Sequence, residues 1–127
     1  MMQKASFHIL RVGLAITFLW IGVLIFQNPE GWIGYLQPWA LKLLPVPAMQ
    51  ALYATAVVDV LIGFFLLIDM FVWQAALLGA IHISTVLIVS GITDITVRDI
   101  AILTALIALT SDALPQNAID KIKSLSK

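Results

Sequence analysis

The chain has 127 residues, 61% of them hydrophobic and only 11% charged, with a mean hydropathy of +1.04. A water-soluble domain is about 45–50% apolar and about 25% charged, and one this short has too little interior to hide the excess. The composition therefore excludes a soluble module and assigns residues 1–127 to one transmembrane domain. Zero net charge removes the basic face that nucleic acid requires. The lack of cysteine removes thiol catalysis, iron–sulfur clusters and thiolate zinc sites.

A bilayer core about 30 Å thick needs about 20 apolar residues in a helix. The first such run covers 6–26. A signal peptide is the competing reading, with Lys4 as its charged start. The run is longer than a signal core of about 7–15 residues, and Phe26-Gln27-Asn28-Pro29 is a poor cleavage site. We read an uncleaved helix.

The segment 27–45 carries Trp32, Tyr35 and Trp39 among Pro29, Pro38 and Pro45. Such aromatics favour the membrane–water boundary. The expectation is one or two short interfacial helices broken at Pro38. They serve either as an anchoring connector or as a lid over a cavity.

The second and third runs cover 46–68 and 71–91, with Asp69-Met70 as a tight hairpin turn between them. The fourth covers 97–113 and is short for a span. From Pro115 onward, Ile119, Ile122 and Leu125 recur every three residues among Asp120, Lys121, Lys123 and Lys127. The spacing predicts an amphipathic tail over 115–127. There are no internal repeats. The pattern as a whole predicts an all-α, up-down-up-down four-helix membrane bundle with an interfacial segment after its first helix.

Lys4, Arg11 and the tail lysines lie at one end of that bundle, against Lys42 and Arg98 at the other. The positive-inside rule places both termini in the cytoplasm, which implies a multi-pass protein of the cell (plasma) membrane.

Ionisable residues at membrane depth are costly and are functional candidates by default. Three qualify: Arg11, Asp59 and His82. A helical rise of about 1.5 Å per residue puts them about 8, 13 and 16 Å from the cytoplasmic surface. Two readings are open for Arg11. It forms a forked ion pair with Asp59, or it snorkels to the headgroups. Asp59 has Thr55 one turn before it and Gly63 one turn after, so it is a packing notch or the polar floor of a cavity. His82 is either a hydrogen-bonded bundle residue or a proton carrier. His8 lies too shallow, about 3 Å deep, to share a haem with it. A metal is equally disfavoured, since Asp59 and His82 are the only deep ligands.

At the opposite end Asn28, Glu30, Asp94, Arg98 and Asp99 cluster. Thr96 with Asp99 three residues on reads as a capping box for the fourth helix. Arg98 either reaches Glu30 or faces water. Taken together, the group is a solvated rim or a polar mouth over a cavity running down to His82.

The stretch from Arg11-Val12-Gly13 through Trp20-Ile21-Gly22 to Glu30 resembles the opening of the DoxX-like family of small four-helix membrane proteins. Val58-Asp59-Val60-Leu61-Ile62-Gly63 and Val97-Arg98-Asp99-Ile100 are similar to that family's acidic second helix and basic-acidic start of the fourth. Where that family often carries a lysine, this chain has Ile25, and Asp59 stands where glutamate is commoner. The resemblance implies a redox-linked protein that binds a quinone or similar amphipathic molecule, or that serves a partner oxidoreductase subunit. Any redox chemistry then comes from the quinone or the partner. The ligand-binding candidates are Arg11, Asp59, His82, Glu30, Trp32 and Arg98, with Trp32 and Trp39 as lid or entry. Competing readings are an assembly subunit or homo-oligomer with no site of its own, and a small transporter or channel subunit.

Overall fold

The computed structural model describes residues 2–127. All regular structure among them is helical: α1 (Lys4–Gln27), α2 (Pro29–Ile33), α3 (Pro38–Leu43), α4 (Ala48–Leu67), α5 (Val72–Ser90), α6 (Arg98–Ala113) and α7 (Gln116–Leu125). The four long apolar runs read from the sequence end within two residues of α1, α4, α5 and α6. Three helices, α1, α4 and α5, are long and apolar enough to cross a membrane. Alone, α6 is shorter, with 16 residues, and the chain then bends by 104° into α7.

The chain breaks where its prolines stand. Pro29 and Pro38 occupy the first turns of α2 and α3, where a missing N–H costs nothing. Asn28 caps α2 by accepting a hydrogen bond from the Gly31 N–H. The expected interfacial segment is thus two short helices, the second starting at Pro38.

Glycine sets the closest helix contact. A Cβ on Gly63 would stand 2.7 Å from Leu19 Cγ and 2.9 Å from the Ala15 carbonyl oxygen, and one on Gly22 would stand 3.0 Å from the Ala56 carbonyl oxygen. The two glycines face each other's helices, so α1 and α4 meet nearly backbone to backbone. The notch beside Asp59 is therefore filled by α1, and not by a ligand. α5 pairs with α6 along much of its length, through side chains such as Leu106 against Gly79, whereas α4 touches α5, and α1 touches α6, over shorter stretches. Leu14, Phe18, Ile62, Leu66, Leu106 and Leu109 form the core between the two pairs.

Of the two readings open for Arg11, the ion pair with Asp59 does not form. Arg11 is 8% exposed and donates to the Leu66 carbonyl and, at 3.0 Å, to the Leu67 carbonyl. Its Nε lies 3.2 Å from His8 Nδ1 and 3.4 Å from Asp69 Oδ1. The cause is the end of α4. The last carbonyls of a helix have no partner within it and carry the negative end of its dipole, so a guanidinium within reach satisfies both needs. The tight α4–α5 turn that Arg11 clamps is held with Asp69 and Phe71 at positive φ, 61° and 51°. The Phe71 ring packs edge-on against Phe65, at 5.8 Å.

Thr96 also departs from its expected role. The N-cap of α6 is Val97, without a side-chain cap. The Thr96 hydroxyl turns back into the α5–α6 loop, donating to the Gly91 carbonyl at 2.6 Å and accepting from the Thr93 N–H at 2.8 Å. A short loop with its own buried polar groups outcompetes the helix end for that oxygen.

Candidate functional site

A cavity of about 470 Å³ lies between the two helix pairs in the half of the molecule that holds α2 and α3. Each wall is a stripe at helical spacing: Thr17, Ile21 and Ile25 on α1; Leu52, Thr55 and Asp59 on α4; His82, Val86 and Val89 on α5; Arg98, Asp99 and Ile102 on α6. Trp32 of α2, Tyr35 and Leu36 of the connection, and Trp39 of α3 close the remaining side. The segment is tied down where the Gln37 N–H donates to the Val89 carbonyl of α5, at 2.9 Å. Trp39 donates through Nε1 to Gln37 Oε1, and the Trp32 and Tyr35 rings meet edge to face at 5.6 Å.

The lining is mainly aliphatic and aromatic, with its chemistry gathered at two levels. On the floor, His82 Nε2 lies 3.0 Å from Asp59 Oδ1. This contact joins α4 to α5 and gives Asp59, 3% exposed, the partner that a buried carboxylate needs. Nearer the segment of α2 and α3, Arg98 and Asp99 open α6. Asp99 lies in the first turn, where a carboxylate suits the helix dipole. The hydroxyls of Thr55 and Thr85 are engaged with the Ala51 and Ile81 carbonyls of their own helices. The polar contacts that remain are few and are set in an apolar wall, as in pockets that orient amphipathic ligands.

Of the six residues singled out in the sequence, four line this cavity: Asp59, His82, Trp32 and Arg98. Arg11 lies at the other end, against the α4–α5 turn. Glu30 is exposed on α2 and is not among the lining residues. Asp99 lines the cavity as well as starting a helix, Tyr35 joins Trp32 and Trp39 on the side of the 27–45 segment, and Thr17 is a lining residue not anticipated from the sequence. The signal for Thr17 was its place four and eight residues before Ile21 and Ile25, on one stripe. Among the described residues no three histidine, aspartate or glutamate side chains gather as a metal site.

Comparison with known proteins adds one finding. The family model described as DoxX matches residues 6–93. Neither a curated protein nor a solved structure matches the chain.

Proposed function

The chain belongs to the DoxX family, and from that premise we propose that it is a redox-associated membrane protein that holds the head of a quinone or a similar amphipathic molecule in the cavity. The observation that carries this reading is the Asp59–His82 pair, 3.0 Å apart, on the floor of a mainly apolar space of about 470 Å³. Ligand pockets run from about 300 to 1,000 Å³ with a few convergent polar groups. A quinone head fits that donor set, because its two carbonyl oxygens accept hydrogen bonds and its ring and tail want apolar walls. Arg98 is the donor to the head, His82 meets it with Nδ1 because its Nε2 is held by Asp59, and Trp32 and Trp39 flank the entrance. The bound quinone would supply the electron chemistry. The chain's own residues orient the head, exclude water and accept or return a proton at His82. Arg11 and Glu30 fall outside this site, Arg11 having a structural role.

In this reading α1, α4, α5 and α6 run up-down-up-down through the cell membrane. Both termini lie in the cytoplasm with Lys4, Lys121, Lys123 and Lys127, and α2 and α3 lie on the outer face. The redox partner is a second oxidoreductase subunit docked on the bundle.

The test is to purify the protein in mild detergent and identify the small molecules that come with it by mass spectrometry. Stoichiometric quinone, lost in His82→Ala and in Asp59→Asn while both variants remain monodisperse, is the expected result. Quinone retained undiminished by both variants would sink the assignment, and lipid alone in the wild type would move the function to an assembly subunit.

A further inference from the structure

The cavity occupies only half of the bundle's length. Its lining stops at Thr17 on α1, Asp59 on α4, His82 on α5 and Ile102 on α6. Beyond that level the helices continue for about 10 Å on α4 and about 15 Å on α5 and α6, at about 1.5 Å per residue. That length is filled. Ile62, Leu66, Ala76, Leu106 and Leu109 are each 0–1% exposed, and a Cβ on Gly79 would stand only 3.1 Å from Leu106 and 3.3 Å from the Phe18 ring. The one buried hydroxyl among the core helices there, Thr110, donates to the Leu106 carbonyl of its own helix. A close-packed apolar layer of this kind holds no water.

We infer that the cavity is a blind vestibule, so that Asp59 and His82 exchange ligand head groups and protons with the α2–α3 face alone. The inference rests on the reading of that cavity as the ligand site and adds its sidedness. Whatever reaches the pair passes Tyr35, Arg98 and Asp99, the other charged or titratable groups that line the space. Arg11, His8 and Asp69 lie behind the packed layer and serve the turn there. A chain built this way does not conduct through its own bundle, and any proton taken up or released at His82 is counted on one side of the membrane.

The absence of native cysteine makes the test clean. Single-cysteine variants Thr55→Cys and Thr17→Cys probe the cavity from two different helices, Ala76→Cys probes the packed layer, and Lys127→Cys marks the side of the termini. Each is exposed to a charged, membrane-impermeant thiosulfonate in right-side-out and in inverted membrane vesicles. The expected result is labelling of Thr55→Cys and Thr17→Cys in one preparation, of Lys127→Cys in the other, and of Ala76→Cys in neither. Cavity positions that label from the Lys127 side, from both sides or from neither overturn the vestibule. Because labelling needs no quinone, one-sided access without retained quinone sinks only the ligand assignment. Two-sided access with retained quinone sinks only the sidedness.

Discussion

The two halves of this bundle are made of the same four long helices and behave as different materials. Toward the termini, small residues and branched aliphatics bring the helix pairs into full contact, and the buried cation there, Arg11, is used up on the end of α4. Toward α2 and α3 the pairs enclose a cavity, with Asp59 and His82 at its floor and Arg98 and Asp99 nearer its mouth. The difference teaches where stability and function separate. Substitutions in the filled half should be read out as folding. Those in the hollow half should be read out as binding.

The strongest way to break that comparison is at Gly63. A valine there has to displace the Ala15 and Leu19 backbone, which stands under 3.0 Å from where its Cβ must go. Overpacking of this kind costs about 3 kcal/mol or more. Gly63→Val is expected to yield little monodisperse protein in detergent, while Thr55→Ala in the cavity wall purifies normally. A Gly63→Val protein as stable as wild type would mean that α1 and α4 do not meet as described.

Next is Arg11→Ala, which removes the side-chain donor shared by the Leu66 and Leu67 carbonyls and is expected to lower stability in detergent unfolding by about 1–3 kcal/mol. Asp69→Asn, which keeps a side chain that tolerates the positive φ of that position, should cost well under about 1 kcal/mol, since the carboxylate is half exposed. Arg11 and Asp59 share no partner, so their losses should add. A strong coupling between them would restore the ion pair that the structure replaces.

A smaller effect sharpens the same line. In a double-mutant cycle, Asp59→Asn and His82→Ala should couple by about 1 kcal/mol, as contacting polar residues do. A cycle that closes to zero would remove the contact from both the fold and the site. Least of all, Lys121→Gln with Lys123→Gln should leave stability within about 0.5 kcal/mol, as exposed positions do. The release of the tail from anionic vesicles by salt should become easier. A large loss of stability there would mean that α7 packs on the bundle.

Much of this architecture is legible in the sequence, because lipid makes the signal simple. Runs of about 20 apolar residues bounded by Pro29, Pro47, Asp69 and Gly91 leave little room for another arrangement of helices. The partner of Arg11 is hidden for a physical reason. Depth counting compares side chains with side chains, whereas the guanidinium found backbone oxygens, which every sequence contains and none displays. Thr96 is hidden in the same way, since its hydroxyl answers to a loop carbonyl, Gly91, whose position only folding creates. The cavity depends on where two helix pairs stop touching, and no single residue encodes that. Its wall stripes were readable, and so was the short distance in depth between Asp59 and His82. Their meeting at 3.0 Å and the inclusion of Asp99 depend on how α5 and α6 are set against α4, which no local pattern displays.

The unequal lengths of the helices have a consequence for the surrounding lipid. With 24 residues, α1 measures about 36 Å, and α6 with its 16 residues about 24 Å before the chain turns aside at Pro115. The two helices thus differ in length by about 12 Å. Where α6 serves as a fourth span, the bilayer has to thin beside it or α1 has to lean, and either adjustment stores elastic energy on one side only. Such a flank gathers short or loosely packed acyl chains. It is also the edge along which a second membrane protein with an equally short helix would relieve the strain by settling beside it.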